Sequence, residues 1–449
     1  MRQLLSKLGN PHEKYQIIHV AGTKGKGTTS TLLADMLSAC GVPTGLYTSP
    51  HLLKIEQRMC MDGRCATRDE FVALVDRVKV AAAELDSMGA GKPTFFELTT
   101  AMGMLFFAHH QAEFVVLEVG LGGRLDSTNV CVPILSIITS ISLDHQAQLG
   151  NTIEEIAFEK AGIIKAHVPL VCTARNSSAR KVILRCAEQL SAPVRLLQRD
   201  FDCQWRCISS QRDNEDAGLP SQASVYYTEL VHSNENGSFI SKAVSETESS
   251  GEWHTRLLGS HQAENLAGAI TALKWIEEMG LIVPWPKARR AARHSGPSAR
   301  LEIVGWNPLR IIDVAHNPAS VFAAMRAVRE HFPGLEPKVV FATSRDKDYI
   351  GMLEMLLPAC SSLVFTNYRE NPRGLPADEL ASAAKLRFGE LPNTSIVADP
   401  LLAWQLACRE AGSENLVLAV GSFFLAAELL GELSSPARQA ASMSSNPSH

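Results

Sequence analysis

At 449 residues the chain is too long for one ordinary hydrophobic core, so its length predicts two domains. Hydrophobic residues make up 45% and charged residues 20%, which is the balance of a soluble globular protein. The 43 basic and 47 acidic residues are spread along the chain, which offers no basic face for nucleic acid and no polybasic membrane anchor.

The ten cysteines are scattered, and the nearest pairs lack His or Cys partners at zinc-finger spacing. No apolar run is long enough to cross a bilayer, and residues 1–16 lack the apolar segment of a secretory signal. We therefore expect reduced thiols in a cytoplasmic protein.

Short apolar strands alternate with helical stretches from residue 16 to about 172, which predicts a mostly parallel sheet. The runs QIIHVAG, FVVLEVG and PILSIITSISL are typical of strands buried on both faces. Thr94 with Glu97, and Thr152 with Glu155, have the spacing of capping boxes that begin helices. We predict a first domain over 1–294, with a polar, turn-rich excursion at about 202–255 that we interpret as surface hairpins.

A long helix follows in HQAENLAGAITALKWIEEMG, and a second alternation begins after the Pro- and Arg-containing stretch 284–298. Its predicted strands lie at 309–315, 338–344, 362–368, 395–400 and 415–422, with helices near 319–331, 349–357, 377–387 and 400–411. This pattern predicts a smaller doubly wound domain over 295–434. The tail, 435–449, is rich in Ser and Pro and is predicted to be disordered.

The segment HVAGTKGKGTTS (19–30) is an unusual phosphate-binding loop. In the common P-loop, G-x-x-x-x-G-K-[ST], a hydroxyl residue follows the lysine, whereas Lys26 is followed by Gly27 and the first glycine is replaced by Val20. Strand, glycine-rich turn and helix are nevertheless in the order that lets backbone N–H groups surround phosphate oxygens. Lys26 would lie near the β- and γ-phosphates, with Thr28 as the nearest hydroxyl. The alternative is a glycine-rich turn with solvent-facing lysines.

Glu118 ends one predicted strand, and His145 follows another. Ligands of open parallel sheets bind beyond the carboxyl ends of the strands, so both side chains could face the phosphate loop and hold magnesium. The alternatives are a solvated strand terminus for Glu118 and a core-edge histidine for His145. Their common placement beyond one sheet favours the metal site.

In the second domain Asp313 ends the first strand, with Arg300 and His316 nearby. An aspartate there could meet a ribose or a metal-bound phosphate, or it could simply form a turn. Two further segments carry no signal of their own. The Ser-Pro pair of YTSPHL (47–52) is an ordinary turn by its residues, and Lys160 in EKAGIIK is an ordinary solvated lysine on a helix.

Taken together, these segments resemble the folylpolyglutamate synthase and dihydrofolate synthase family, within the larger group of Mur-type amide-bond ligases. The similarity runs from about residue 16 to 430, and the family loop AGTxGKG[ST] accounts for the displaced hydroxyl. The matching segments are HVAGTKGKGTTS, GLYTSPHL, FFELTTAMGMLFF, LEVGLGGRLDSTN, ISLDHQAQLGNTIEEIAFEKAGIIK, GSHQAENLAGAITAL, DVAHNP, SRDKD and VGSFFLAAEL.

The resemblance implies an α/β protein with an N-terminal P-loop NTPase-like Mur-ligase central domain and a smaller C-terminal Rossmann-like domain. By the same resemblance, ATP phosphorylates a substrate carboxylate, and the amine of L-glutamate attacks the acyl phosphate. The acceptor would be dihydropteroate, a reduced folate or both, and we favour a bifunctional enzyme over folylpolyglutamate synthase alone. A peptidoglycan-precursor Mur ligase is disfavoured by TSPHL and EVGLGGR, and a GTPase by the lack of N-K-x-D.

The resemblance also implies residue roles. Catalysis would involve Lys26, Lys160 and His316. The ATP site would comprise Gly22, Thr23, Gly25, Lys26, Gly27, Thr28, Gln262, Asn265, Arg300 and Asp313. Two magnesium ions, with a monovalent cation such as K⁺ as a further candidate, would be held by Ser49, Glu118, His145 and a carbamylated Lys160. A folate or pterin loop would contain Thr48, Pro50 and His51. The partners would be small molecules, and the protein would be a monomer.

Three features depart from the family pattern. Only residues 1–18 precede the loop, where the family usually has a longer segment. The interdomain motif reads PSARLE, with one extra residue between Pro297 and Arg300, and Thr28 replaces a common serine. An inactive paralogue is therefore an alternative, although every expected metal and phosphate residue is present.

Overall fold

The computed structural model describes residues 1–207, 223–235, 238–243, 247–369 and 371–433. The chain divides into a first unit, Met1–Arg256 with Ser260–Pro297, and a second unit, Leu257–Gly259 with the residues from Ser298 onward. The predicted disordered tail lies outside the described residues, as do parts of the excursion at 202–255.

An eight-stranded sheet forms the centre of the first unit, in the order β4-β3-β2-β5-β1-β6-β7-β8. The strands from β2 to β8 in this order form five parallel pairs. The two pairs at the other edge, β2–β3 and β3–β4, are antiparallel. The strands are β1 (Gln16–Ala21), β2 (Thr44–Tyr47), β3 (Met59–Met61), β4 (Arg64–Cys65), β5 (Phe114–Glu118), β6 (Leu135–Ile138), β7 (Leu170–Cys172) and β8 (Val194–Leu196). The predicted mostly parallel sheet is confirmed.

Helices cover this sheet, and two of them begin at the predicted capping boxes. Thr94 accepts a hydrogen bond from the Glu97 amide, and Thr152 from the Glu155 amide. The helices of the unit are α1 (Arg2–Lys7), α2 (Lys26–Ala39), α3 (Arg68–Ser87), α4 (Phe95–His109), α5 (Gln146–Leu149), α6 (Ile153–Ala161), α7 (Ser177–Gln189), α8 (Ser260–Glu278) and α9 (Trp285–His294), with 3₁₀ turns at Pro11–Glu13, Ile55–Arg58 and Ser127–Val130.

The polar excursion folds as a separate antiparallel sheet of β9 (Phe201–Cys207), β10 (Ala223–Glu235), β11 (Ser238–Ala243) and β12 (Gly251–Thr255). The predicted hairpin character is confirmed, because β10 pairs antiparallel with the other three strands. Its inner residues are not at the surface: Trp253 and Tyr227 are buried, and the Tyr227 hydroxyl lies 3.1 Å from Thr271 Oγ1 on α8. The segment therefore contributes to the core of the first unit.

The second unit is a six-stranded sheet in the order β13-β14-β18-β15-β16-β17, parallel except at β13. The predicted alternation of strands and helices is confirmed. The strands are β13 (Glu302–Gly305), β14 (Leu309–Ile312), β15 (Pro337–Phe341), β16 (Ser362–Phe365), β17 (Thr394–Ile396) and β18 (Leu416–Val420), and the helices are α10 (Pro318–His331), α11 (Tyr349–Leu356), α12 (Ala377–Phe388), α13 (Pro400–Ala411) and α14 (Phe423–Leu433), with a 3₁₀ turn at Leu357–Ala359.

One prediction about the cysteines is wrong. Cys60 and Cys65 face each other across the β3–β4 hairpin and form a disulfide, where reduced thiols were expected. The other eight cysteines are free thiols. Within the described ranges, no helix is both long and apolar enough to span a membrane.

Candidate active site

The glycine-rich loop joins β1 to α2, and Lys26 is the first residue of that helix. Gly25 has a φ of +87°, a left-handed conformation that favours glycine. The Lys26 Nζ atom donates to the carbonyl oxygens of Gly22, at 3.1 Å, and Thr23, at 3.4 Å. Thr23 is fixed in turn by its amide, which donates to Ser140 O at 2.7 Å. The segment therefore folds as the strand, turn and helix that a phosphate loop requires.

Lys160 lies under this loop. Its side chain is only 4% exposed, and its Nζ atom donates to the Gly22 carbonyl oxygen at 3.0 Å. Burial, and secondarily the nearby charge of Lys26, lowers the pKa of Lys160 from 10.5 to about 7. The interpretation of Lys160 as a solvated helical lysine is therefore wrong. A lysine amine that is partly neutral near pH 7 can act as a nucleophile.

Glu118, at the end of β5, is 5% exposed and faces the same loop. A side chain at position 27 would meet both carboxylate oxygens of Glu118 at 3.6 Å. One of these oxygens, Oε2, accepts a hydrogen bond from the Ser49 amide at 3.1 Å. The structure thus brings Ser49 and Glu118 together beside Gly27, and the interpretation of Glu118 as a solvated strand terminus is wrong.

His145 stands at the same edge of the sheet with a φ of +50°, and its side chain is 59% exposed. Its pKa is lowered by partial burial; Asp144 opposes this shift, and the charges of Lys160 and Lys26 add to it. The neighbouring residue, Asp144, forms an ion pair with Lys24 of the glycine loop at 3.5 Å, so His145 lies next to a residue that contacts the loop.

These residues fit a magnesium ion by their chemistry. Magnesium prefers oxygen ligands, and a buried carboxylate beside a phosphate loop supplies them. The expected ligands include one carboxylate, Glu118, and one imidazole, His145. The described residues contain no group of three or more His, Cys, Asp or Glu that could hold a metal. Oxygen donors beyond Glu118 would come from Ser49, phosphates, water and a carbamate on Lys160.

Gln262 and Asn265 approach the loop from α8. Both are buried, and the Asn265 Nδ2 atom donates to Gln262 Oε1 at 2.7 Å. The Asn265 carbonyl oxygen lies 3.5 Å from Thr29 Oγ1, and a side chain on Gly25 would collide with Asn265 Oδ1. The structure thus brings these two predicted nucleotide ligands together with the glycine loop.

The TSPHL segment, which follows β2, is anchored by a residue that the sequence did not single out. Arg58 is 7% exposed and donates from Nε to the Nδ1 atom of His51 at 2.9 Å. Its guanidinium also lies 5.4 Å from the ring centre of Phe95, and the Arg58 carbonyl accepts from the Thr48 amide at 3.1 Å. Nothing in the local pattern IEQRM distinguishes Arg58 from an exposed arginine.

The second unit gathers the remaining predicted residues at the carboxyl ends of β14 and β18. The Asp313 carboxylate accepts from the Leu301 amide at 2.8 Å and the Ala315 amide at 2.7 Å. Arg300 and His316 both lie against Phe423, at 5.6 Å from guanidinium to ring centre and 5.4 Å between ring centres. Arg300, Asp313 and His316 therefore belong to one edge of this sheet, as predicted for a ligand site.

Two further residues of the first unit were missed by the sequence analysis. His19, on β1, is fully buried and lies 2.8 Å from Thr128 Oγ1. Asp126 accepts hydrogen bonds from the Thr128 amide and hydroxyl. The D-S-T order is a capping pattern that could have indicated Asp126, but no local signal indicates its contact with His19.

Residues 20–273 match the Mur ligase middle domain, and residues 299–423 match the glutamate ligase domain of Mur ligases. The dihydrofolate synthase/folylpolyglutamate synthase of Bacillus subtilis strain 168 is 34% identical over 96% of this chain and 93% of its own length.

Two solved structures have the same fold over nearly the whole chain. Mycobacterium tuberculosis folylpolyglutamate synthase, complexed with ADP and AMPPCP, has a TM-score of 0.82 and 27% identity over 97% of this chain and 94% of its own. The bifunctional folylpolyglutamate synthase/dihydrofolate synthase of Yersinia pestis, complexed with AMPPNP and a Mn ion, has a TM-score of 0.76 and 26% identity over 97% and 92%. The predicted two-domain α/β class is confirmed, and the chain belongs to the folylpolyglutamate synthase and dihydrofolate synthase family of Mur-type ligases.

Proposed function

We propose that this protein is an ATP-dependent ligase that joins L-glutamate to dihydropteroate and to reduced folates. Members of the family from Bacillus subtilis and Yersinia pestis carry the names of both activities. The observation that carries the proposal is the grouping of Lys26, Lys160 and Glu118 around the glycine loop 22–27, beyond the carboxyl ends of β1 and β5.

The first step is phosphoryl transfer. An oxygen of the acceptor's carboxylate attacks the γ-phosphorus of ATP, the bond to the β,γ-bridging oxygen breaks, and ADP leaves. Phosphoryl transfer depends mainly on positioning and on neutralising the phosphate oxygens. Lys26 supplies a charge from the first turn of α2, and the loop amides supply N–H donors. Gln262 and Asn265 hold the loop from α8 and would contact the nucleotide.

Magnesium, when bound, would neutralise charge on the phosphate oxygens. Glu118, Ser49 and His145 are its proposed protein ligands. Lys160 is proposed to react with CO₂ through its neutral amine, forming an N–C bond and releasing one proton, which gives a carbamate with two oxygen donors. Its buried position and its pKa of about 7 favour the neutral amine that this reaction needs.

The second step is amide formation. The amine of glutamate attacks the acyl carbon, phosphate leaves with the C–O electron pair, and the amine loses a proton. We assign His316 to this step, beside the incoming glutamate or the phosphate, because its imidazole stands at the carboxyl edge of the second sheet. Arg300 and Asp313 are proposed to serve the nucleotide.

The acceptor's ring system needs an apolar surface near the TSPHL segment. Phe95, on which Arg58 packs, and Leu53, which directly follows the segment, are large apolar residues with 59% and 42% exposure. We propose that these two side chains contribute to that surface. Arg58 holds Phe95 and His51, so the segment 48–51 and this apolar surface are proposed to bind the pterin or folate.

The test is ATP-dependent incorporation of labelled glutamate, run in parallel with 7,8-dihydropteroate and tetrahydrofolate. Lys26→Ala provides the inactive control. We expect product from both acceptors with the wild-type chain and none with the variant. Product from one acceptor alone would restrict the function to that half of the proposal, and no product from either, with intact ATP binding, would reject the ligase activity.

A further inference from the structure

A chain of hydrogen-bonded side chains connects β1 to the loop that follows β5. His19 Nε2 lies 2.8 Å from Thr128 Oγ1, and the Thr128 hydroxyl donates to Asp126 Oδ1 at 2.6 Å. His19 and Thr128 are both fully buried. We call His19, Thr128 and Asp126 the histidine relay.

The hydrogens of the relay can be assigned. The Thr128 hydroxyl has one proton, which it donates to Asp126, so the contact with His19 requires a donor on Nε2. A neutral imidazole then has an acceptor at Nδ1, and this atom faces the Cys131 thiol at 3.8 Å. Every hydrogen bond of the relay is thus satisfied with His19 neutral, and burial favours that state by lowering its pKa to about 3.

The relay ends on the loop 120–126. Asp126 Oδ2 accepts from the Leu121 amide at 2.9 Å, and the Asp126 amide donates to Gly123 O at 3.1 Å. The Asp126 carboxylate at the end of the loop therefore binds the start of the loop, which directly follows the strand that ends in Glu118. Because its two ends are hydrogen-bonded to each other, the loop 120–126 has few accessible conformations.

The closed loop packs on the backbone of α6 beside Lys160. The Arg124 amide donates to Glu159 O at 2.8 Å, and the two side chains form a pair with Nη2 2.9 Å from Oε1. A side chain on Gly123 would lie 2.9 Å from Glu159 O and 3.0 Å from Lys160 O, which is tighter than side-chain contacts normally are. Asn129 also links the loop to the end of α6, because its Nδ2 atom donates to both Arg124 O and Gly162 O.

We propose that the histidine relay positions the turn of α6 that carries Lys160, through the loop 120–126, and that His19 and Thr128 are therefore positioning residues for the ligase reaction. Neither residue touches the reacting atoms. Their effect passes through Asp126 to the loop and from the loop to the helix backbone. The expected effect on catalysis rests on the proposed ligase function. The expected effect on the order of the loop and of α6 does not depend on that function.

The test compares Thr128→Val, which removes the hydroxyl but keeps the shape, with Thr128→Ser, which keeps the hydroxyl. Thr44→Val is the matched control, because it removes another buried threonine hydroxyl, one that donates to Val42 O outside the relay. Thermal melting establishes that each variant folds. Amide hydrogen exchange of residues 120–126 and 153–161 reports loop and helix order, and ¹³C NMR in labelled bicarbonate reports the carbamate on Lys160.

We expect Thr128→Val to speed exchange in both segments, to lower carbamate occupancy and to reduce kcat about tenfold, the usual scale for a residue that orients a metal ligand. The KM for ATP should stay within about twofold, since the glycine loop is untouched. Thr128→Ser and Thr44→Val should behave as the wild type in all three measurements.

A folded Thr128→Val protein with wild-type exchange, carbamate and kcat would overturn the proposal. Lower stability with uniform faster exchange would also overturn it, because the relay would then only support the core. If the wild-type chain ligates no glutamate while exchange responds as expected, the proposed function fails and the structural relay stands.

Discussion

Lys26 and Lys160 donate to the same carbonyl oxygen, that of Gly22, at 3.1 and 3.0 Å. One comes from the first turn of α2 and the other from α6, so the carbonyl of the glycine loop fixes both amines. Two ammonium groups so close repel each other, and the buried one gives up its proton more easily. The pKa of Lys160 accordingly falls to about 7, mainly through burial and next through Lys26.

From the pKa of Lys160 we predict how the free energy of unfolding of the metal-free protein depends on pH when CO₂ is absent. Between pH 7 and the ordinary lysine pKa, the folded state binds fewer protons than the unfolded state, so the free energy of unfolding rises with pH. Relative to Lys160→Met, wild-type stability should rise by about 2 kcal/mol from about pH 7 to about pH 9, as measured by urea unfolding. Parallel pH curves for the two proteins would show that Lys160 is not perturbed in the folded state.

Glu118 allows a second prediction, because its amide analogue keeps the hydrogen bond but loses the charge. In Glu118→Gln the carbonyl Oε1 can still accept from the Ser49 amide, so the fold should be retained. Removing a metal-binding carboxylate should lower kcat about 100-fold or more and weaken the dependence of activity on magnesium. Magnesium titrations of turnover check this result.

The matched control is Glu70→Gln, the same change at a partly buried carboxylate that pairs with Arg64. It should leave turnover and the magnesium titration unchanged. Wild-type magnesium affinity in Glu118→Gln would remove Glu118 from the proposed ligands.

Arg58 provides a third prediction, on the acceptor side. Arg58→Met removes the donor to His51 and the cation over Phe95 while keeping an apolar stem. We expect the KM for dihydropteroate or tetrahydrofolate to rise about tenfold, because the segment 48–51 loses its anchor, with the KM for ATP unchanged. Arg64→Met, on the surface of the same unit, controls for the loss of an arginine, and steady-state kinetics with each substrate varied in turn makes the comparison. A rise in both KM values would point to a general loosening of the site.

The parts of this structure that the sequence predicted are those set by local pattern. The glycine loop, the capping boxes at Thr94 and Thr152, and the strand that ends in Glu118 are each encoded within a few neighbouring residues. The family motifs, which are longer and occur in order, extended this to residue roles in the site. Those roles remain predictions that the experiments above address.

What the sequence could not predict depends on tertiary contact. Lys160 is a lysine on a short helix by every local criterion, and only the approach of α6 to Gly22 buries it. Arg58 and His19 are likewise defined by partners, His51 and Thr128, that local periodicity does not reveal. The hairpin cysteines, Cys60 and Cys65, became a pair because β3 and β4 placed them opposite each other.

Asp313 gives a fourth prediction, since both of its carboxylate oxygens accept backbone amides that shape the loop around Arg300. The residues on either side of that arginine, Ala299 and Leu301, have φ values of +55° and +50°, which are strained for residues other than glycine. We expect Asp313→Asn to raise the KM for ATP about tenfold by releasing this loop. The double variant with Arg300→Ala should be no worse than Arg300→Ala alone, because both changes remove the same interaction.

Asp348→Asn, at the cap of α11, is the matched control and should leave the KM for ATP unchanged. Additive losses in the Asp313 and Arg300 double variant would contradict the shared effect and indicate separate contacts with the nucleotide.

His19 provides the last prediction, which tests the neutral state of the relay without any substrate. Because its folded pKa is about 3 and the ordinary value is 6.5, the unfolded state binds more protons between these limits, and stability is lost as the pH falls. Relative to His19→Gln, wild-type stability should therefore fall by about 2 to 3 kcal/mol from about pH 7 to about pH 4.5. Urea unfolding at each pH measures the difference, and His294→Gln, an exposed histidine on α9, controls for the loss of an imidazole. A constant difference between wild type and His19→Gln would mean that His19 takes up a proton in the folded protein, and the hydrogen assignment of the relay would then be wrong.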